Sequence, residues 1–202
     1  MARTKNPAVR SMLIERAAQL LRERQAVTLR GLVAGTEVST MAVYTYFDGM
    51  DGLWRAVRQE GFTRLAARLA EVAGTDDPVC DLAALGSAYV ANALANPDLY
   101  RVMFDAGFAL EDAAAADATL ERLVTTADTA RTLGRFRTAI DPLELATQSW
   151  TFGHGLASLV ATGPLPRAVL GSGIPVLTAL FVAAGDEPGR CARSVAAGWH
   201  VS

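Results

Sequence analysis

Three dipeptides mark where helices begin in this chain. Asn6-Pro7, Asn96-Pro97 and Asp141-Pro142 each place a capping residue before a proline in the first helical position. Gly134 and Gly163-Pro164 are the corresponding stop signals. Apolar residues recur at helical spacing between these signals, and strand-like alternation of useful length is not found. Because aromatic residues are only 7% while aliphatic residues and alanine dominate, the sequence predicts an all-α protein of about nine helices.

Residues 28–47 have the pattern of a helix-turn-helix. A short apolar helical pattern ends at Val33, a break follows at residues 35–37, and a second helix is predicted to begin near Ser39. The Ser39 hydroxyl is a suitable N-cap for that helix. Two short helices joined by a tight turn are the unit that places one helix in the major groove of DNA.

The second helix of this pair has two different faces. At 100° per residue, Val43 and Phe47 fall together and are predicted to pack on the first helix. The outward set is small, polar or aromatic and carries no charge: Thr40, Met41, Ala42, Tyr44, Thr45 and Tyr46. A merely solvated helix more often carries Lys, Glu or Gln. The pattern alone leaves two interpretations open, a DNA-recognition helix or a surface helix of a small bundle.

Charge is distributed unevenly along the chain. Residues 1–64 carry ten basic and six acidic residues, whereas residues 65–202 carry nine and fifteen. This asymmetry favours a DNA-binding domain on an acidic body. Arg3 and Lys5 lie in a short N-terminal arm, which is either a phosphate or minor-groove contact or a disordered start. We therefore predict a helix-turn-helix DNA-binding domain over residues 1–50 and a helical ligand-binding and dimerisation domain over residues 51–202.

The predicted body begins with a long helix and ends with two very apolar ones. A helix over residues 51–72 spans roughly 33 Å and can link the two domains mechanically. The helix over residues 142–161 and the interrupted pattern over residues 165–184 are hard to cover within one chain. They predict either a buried homodimer face or the central helices of the body. Residues 185–202 are expected to form a partly ordered tail.

Several classes of chemistry find no support in the sequence. Cys80 and Cys191 are isolated, and with His154 and His200 they do not make a metal site by spacing. A nucleophile–base pair, a carboxylate pair or a phosphate-binding loop does not stand out. We therefore expect no enzyme activity, no metal and no cofactor. Without 18 consecutive apolar residues or a signal-peptide core, we expect a cytoplasmic protein and no membrane partner.

The segment TLRGLVAGTEVSTMAVYTYFDGMDGLW, behind the amphipathic helix VRSMLIERAAQLL, resembles the N-terminal domain of TetR-family transcriptional regulators. The resemblance covers roughly residues 8–58. The body also resembles one TetR subgroup with a Trp-His-Gly type C-terminal domain, and the matching residues are Asp77-Pro78, Asn96-Pro97, Tyr100–Phe104, Trp150 and His154-Gly155.

This resemblance implies an all-helical homodimer that binds a palindromic operator and acts as a repressor released by a small-molecule effector. The base contacts that it implies are Thr40, Met41, Ala42, Tyr44 and Thr45, and the phosphate contacts are Thr28, Arg30, Ser39, Tyr44 and Tyr46. Candidates for a largely apolar effector pocket lie in the helices expected around the core of the body: Tyr89, Met103, Phe104, Phe108, Trp150 and His154. For each of these six residues, core packing is the alternative.

Three positions depart from the family pattern. Glu37 stands where the turn usually has glycine, and a left-handed conformation there is expected to cost on the order of 1 kcal/mol. Met50 replaces a phosphate-binding lysine, and Tyr46 replaces a histidine. These departures keep open an alternative function, a helical ligand-binding or interaction module with weak or lost DNA affinity.

Overall fold

The computed structural model describes residues 6–105 and 107–201, so the predicted arm with Arg3 and Lys5 lies outside the described residues. All regular secondary structure within them is helical, which confirms the predicted fold class, and there are ten α-helices where about nine were predicted. Their bounds are α1 Pro7–Arg22, α2 Leu29–Val33, α3 Met41–Phe47, α4 Met50–Ala70, α5 Pro78–Ala95, α6 Pro97–Met103, α7 Ala114–Thr132, α8 Pro142–Ala161, α9 Gly173–Ala184 and α10 Pro188–Gly198, with a 3-10 helix at Arg167–Ser172.

The chain divides into two compact units. The first contains the residues up to Arg64 together with Asn96–Ala113, and the second contains Leu65–Ala95 and the residues from Ala114 onward. The division falls inside α4, and α6 belongs to the first unit although it follows α5 in sequence. The division into a DNA-binding domain over residues 1–50 and a ligand-binding domain after it concerns function, and it stays a prediction.

The three cap–proline pairs precede helices as predicted, but only Asn6 and Asp141 cap with their side chains, since Asn96 makes no capping hydrogen bond to α6. The Asn6 side chain accepts a hydrogen bond from the Ala8 N–H at 3.0 Å, and Asp141 accepts one from the Leu143 N–H at 2.9 Å. In both helices proline follows the cap, where a missing N–H costs nothing. Each of the two starts is therefore fixed by a side chain as well as by the backbone.

The core of the first unit joins α1–α4 and α6. Its buried residues are Leu13, Ile14, Ala17, Leu20, Leu32, Val43, Phe47, Leu53, Ala56, Val57 and Leu99. Val43 and Phe47, which were predicted to pack inward, are among them, and Val33 packs against them partly buried. This core holds the short helices α2 and α3, which are too short to be stable alone.

The second unit contains a helix that the sequence analysis missed. Residues 188–198 form α10, so the expectation of a partly ordered tail is wrong. Cys191, Val195 and Trp199 are buried, and the Trp199 indole N–H donates to the Leu170 carbonyl at 3.1 Å. Glu187-Pro188 is a cap followed by proline, the same signal that marks α1 and α8.

The apolar stretch near the C-terminus is interrupted, as predicted. A 3-10 helix over Arg167–Ser172 precedes α9. Residues 78–95 and 167–184 are long and apolar enough to cross a membrane by length and composition alone, a test that core helices of soluble proteins also pass. The α-helical part of the second stretch is only 12 residues long, whereas a membrane-spanning helix needs about 20.

Candidate nucleic-acid interface and ligand site

Helix α3 has one face buried in the core of the first unit and the opposite face exposed to solvent. Val43 and Phe47 are buried in the core of the first unit, while Met41 is 64% and Tyr44 51% exposed. This confirms the predicted division of the helix into an inner and an outer face. Thr40 rather than Ser39 holds the cap position, and its side chain makes no capping hydrogen bond.

All nine predicted DNA contacts are accessible in the first unit. Thr28, Arg30, Ser39, Met41, Tyr44 and Thr45 are exposed, and Thr40, Ala42 and Tyr46 are half-buried. Thr28 also caps α2, because its hydroxyl oxygen accepts from the Gly31 N–H at 3.1 Å. That bond leaves the hydroxyl proton of Thr28 available to a phosphate oxygen.

The turn between α2 and α3 corrects one expectation. Gly35 takes the left-handed conformation, with φ of 74°, and the non-glycine residues with positive φ in the described ranges are Arg24 and Asp48. Glu37 therefore carries none of the expected backbone strain. The turn is held by Thr36, whose hydroxyl donates to the Val33 carbonyl at 2.8 Å.

The junction between α3 and α4 is tightly defined. Asp48 ends α3 in the left-handed conformation, with φ of 61°, and its N–H donates to the Tyr44 carbonyl at 3.0 Å. A Cβ added to Gly52 would lie 1.6 Å from the Phe47 carbonyl oxygen, so only glycine fits where α4 passes α3. Met50, where the family pattern has lysine, packs partly buried against the core of the first unit.

Tyr46 has a structural contact besides its predicted phosphate contact. Its hydroxyl oxygen accepts a hydrogen bond from the Asn6 N–H at 2.9 Å, which ties α3 to the start of α1. The phenolic proton can still donate to a phosphate. Arg10 lies close by, 5.5 Å from the centre of the Phe47 ring, and forms an ion pair with Glu111 at 2.6 Å.

The six predicted pocket residues fall into two groups of three. Met103, Phe104 and Phe108 belong to the first unit, whereas Tyr89, Trp150 and His154 belong to the second. In the first group, the Phe104 ring lies 5.6 Å from Phe62.

The second group is brought together by α5 and α8. The Tyr89 hydroxyl and the His154 Nδ1 are hydrogen-bonded at 3.0 Å, and the Trp150 and His154 rings lie 5.9 Å apart between centres. Burial lowers the pKa of His154, so the imidazole is neutral at pH 7. A neutral imidazole beside a phenol and an indole can recognise an apolar molecule that carries a hydroxyl.

A buried polar cluster in the second unit was not predicted from the sequence. Arg135, 8% exposed in its side chain, forms ion pairs with Asp77 and with the fully buried Asp186. Ser194 of α10 accepts from Arg135 at 3.0 Å and donates to Asp77. The cluster joins the residue before α5, the loop after α7 and α10. Asp77-Pro78 and Glu187-Pro188, next to Asp186, are visible in the sequence as helix starts, but neither signal shows a pairing with Arg135.

Burial raises the pKa of the Asp186 carboxyl, but hydrogen bonds from Arg135 and Arg190 outweigh this and leave it below its usual value. The balance at Asp77 is similar. Burial raises its pKa, but hydrogen bonds from Ser194, the Cys80 N–H and Arg135 lower it by more, so the pKa is below its usual value. Both carboxylates are therefore ionised at neutral pH, and Arg135 and Arg190 together balance their two negative charges. In the part of the chain that the structure describes, no cluster of three metal-ligating side chains is present.

Comparison with known proteins supports the interpretation of both units. Residues 82–172 match the family described as Tetracyclin repressor-like, C-terminal domain. A protein of unknown function from Rhodococcus sp. RHA1 is similar in structure, with a TM-score of 0.69, 26% identity and coverage of 96% of this chain and 98% of that one. A tetR-family regulatory protein from Rhodococcus RHA1 has a TM-score of 0.69 at 19% identity, over 89% of this chain and 98% of its own. This chain has the fold of a TetR-family regulator.

RolR, solved in complex with resorcinol, has the same TetR fold with a TM-score of 0.67, 17% identity and 97% coverage of each chain. A search of curated protein sequences gave no match. The TetR-like C-terminal domain and the TetR-family structural neighbours support a DNA-binding transcriptional regulator with a ligand-binding domain. The tetR-family neighbour from Rhodococcus RHA1 is described as a regulatory protein.

Proposed function

We propose that this protein is a transcriptional repressor that inserts α3 into the major groove of a palindromic operator. The observation that carries the proposal is the outer face of α3, where Met41 and Tyr44 are 64% and 51% exposed while Val43 and Phe47 anchor the helix. The base contacts are Thr40, Met41, Ala42, Tyr44 and Thr45, and the phosphate contacts are Thr28, Arg30, Ser39, Tyr44 and Tyr46. Such a cytoplasmic regulator needs no cofactor.

A homodimer through α8 and α9 is part of this proposal. Large apolar side chains are exposed on both helices, with Leu159 at 44% and Val176 at 39%. Gly155, Ala179 and Ala183 lie among them, and a Cβ added at Gly155 would meet nothing within 4 Å. We call these five residues the α8–α9 face. An exposed apolar face of this kind is typical of a homodimer interface.

Dimerisation gives the protein its affinity for DNA. One helix-turn-helix carries few charges and binds weakly alone, whereas two joined copies engage half-sites spaced about 34–36 Å apart or a multiple of that distance. An effector that favours a conformation of the dimer with a different spacing weakens operator binding by linkage. We assign α4 the coupling role, because the boundary between the two units lies within it.

We propose that the effector binds in the second unit beside Tyr89, Trp150 and His154. The hydrogen-bonded pair of Tyr89 and His154 supplies polar groups beside the apolar Trp150 ring, which suits an apolar molecule with a hydroxyl. The resorcinol complex of RolR supports a small aromatic effector for this fold. The Trp150 and His154-Gly155 positions also support the Trp-His-Gly subgroup. Met103, Phe104 and Phe108 pack around Gly61, Phe62 and Trp54, which favours core packing for these three.

Selection of bound sequences from a random duplex DNA pool tests the proposal. The full-length protein should enrich a palindrome, and the variant Tyr44→Ala, retested on the selected duplex, should lose it. No enrichment by the wild-type protein would favour the alternative function, a helical ligand-binding or interaction module.

Effector binding is tested separately by a thermal-shift screen that begins with resorcinol and related phenols. An effector raises the melting temperature of the free protein and releases the operator. A compound that stabilises the protein equally well in the Tyr89→Phe/His154→Phe variant binds elsewhere.

A further inference from the structure

We infer that α3 recognises its operator mainly through the 5-methyl groups of thymine, and not through paired hydrogen bonds to guanine or adenine. This inference rests on the proposed function and names the base chemistry of the same interface.

The residue types of α3 exclude most of the usual base contacts. In the major groove, Arg and Lys pair with guanine, Asn and Gln with adenine, and Asp and Glu accept from cytosine. Residues 39–47, which include α3 and its two preceding residues, contain none of these six types. The remaining groups are methyls, a thioether, aromatic rings and hydroxyls. The thymine methyl is the apolar group on the base edges of the major groove, so it is the natural partner for such a face.

The structure narrows the set to three neighbouring side chains. Met41, Ala42 and Thr45 fall within about 100° of one another on the helix. Met41 is 64% exposed, and Thr45 is also exposed. The Thr45 hydroxyl donates its proton to the Met41 carbonyl at 2.9 Å. That proton is therefore engaged by the backbone, and the γ-methyl is the apolar group that Thr45 can offer to a base.

Charged residues near α3 do not supply a guanine contact on this face. Glu37 precedes the helix and Asp48 ends it, and both are exposed and acidic. In the helix-turn-helix formed by α2 and α3, the exposed basic residue is Arg30 on α2, which is placed to contact a phosphate rather than a base. Among the proposed base contacts, the apolar patch of Met41, Ala42 and Thr45 therefore contributes most of the specificity.

The test replaces thymine by uracil in the selected operator. Uracil pairs identically with adenine but lacks the 5-methyl group, so the exchange removes only the proposed contact. At one or more symmetric thymine pairs we expect uracil to weaken binding of the full-length protein about fourfold per half-site, and about tenfold or more for both half-sites together. At a position where cytosine replaces such a thymine, 5-methylcytosine should recover part of the loss. Replacing guanines of the half-site by 7-deazaguanine, which lacks N7, should change the dissociation constant less than twofold.

A matched pair of variants assigns the contact to α3. Met41→Ala should bind the thymine and uracil operators with more nearly equal affinity. Leu133→Ala, which truncates a side chain that is equally exposed at 63% in the second unit, should keep the full uracil penalty. Enrichment of an operator whose half-sites tolerate uracil throughout would overturn this inference and leave the proposed function intact. Failure to enrich any sequence would overturn both.

Discussion

Arg135 donates two hydrogen bonds to Asp186, from Nε to one carboxylate oxygen at 2.9 Å and from Nη2 to the other at 2.7 Å. Both side chains are removed from water. A paired contact of this geometry fixes the direction of both groups. Arg135 also donates to Ser194 and so positions α10, which packs against α5 and α9 in the second unit.

Replacing Arg135 by methionine should destabilise the protein by about 3–5 kcal/mol, because Asp186 would keep its charge without its main partner. Urea unfolding at a fixed protein concentration measures the change. The control is Arg131→Met, four residues before Arg135 in sequence. This change removes a surface ion pair with Asp128 and should cost about 1 kcal/mol or less. Equal losses in the two variants would contradict a stabilising role for the buried pair.

The contribution of Asp186 should depend on pH with a defined sign. Its pKa in the folded protein is lowered, so its stabilisation is fully present above the unfolded pKa of about 3.9 and is lost as the pH falls through the folded pKa. Melting temperatures of the wild-type protein and Asp186→Asn should therefore differ by a constant amount from pH 7 to about pH 5. Below about pH 4 the two should converge. A difference that grows on acidification would show the opposite shift.

The sequence predicts the fold well because the helix boundaries are determined by residues that are close in sequence. Asn6-Pro7 and Asp141-Pro142 act through bonds to residues within two positions. The face of α3 followed from periodicity, since Val43 and Phe47 had to point one way. Helix α10 was missed although Glu187-Pro188 is the same kind of start and Cys191 and Val195 recur at helical spacing, because the segment is short and has few large apolar residues.

The features that could not be predicted from the sequence depend on contacts between residues far apart in the chain, or on the exact closure of a turn. Asp77 and Ser194 are 117 positions apart, yet their side chains share a hydrogen bond. The location of positive φ at Gly35 rather than at Glu37 depends on how Thr36 closes the turn. The pocket candidates were chosen from helix membership alone, and that criterion does not show which compact unit Met103 or Tyr89 joins.

The α8–α9 face should hold the dimer together. Leu159→Glu would place a charge in the proposed interface and should convert the dimer to monomers, which light scattering coupled to gel filtration measures. Leu133→Glu introduces the same charge at an exposed residue outside this face and should stay dimeric. Helical content by circular dichroism should be unchanged in both. A dimeric Leu159→Glu protein with normal operator binding would place the interface elsewhere.

Arg30 should contribute to affinity without contributing to specificity. It is exposed on α2, and a phosphate contact in each subunit releases counterions on binding. Arg30→Ala should therefore reduce the slope of log Kd against log salt by about 2 for the dimer, and weaken all DNA sequences alike. Arg193→Ala, which removes an exposed arginine from α10, should leave the slope unchanged. A change in the preferred sequence would instead identify Arg30 as a base contact.

Two substitutions of Tyr44, at the centre of α3, should distinguish a contact by its ring from a contact by its hydroxyl to a phosphate. Its side chain is 51% exposed, so truncation leaves the core of the first unit intact. Loss of a hydrogen bond to a charged phosphate costs about 1.5–3 kcal/mol, and the dimer loses two of them. Tyr44→Phe should therefore weaken operator binding about a hundredfold or more in a gel-shift titration, and Tyr44→Ala should weaken it further while the protein stays dimeric. If Tyr44→Phe binds normally and Tyr44→Ala does not, the ring packs on the DNA and the hydroxyl is not a phosphate donor. If both variants bind normally, α3 is not the recognition helix.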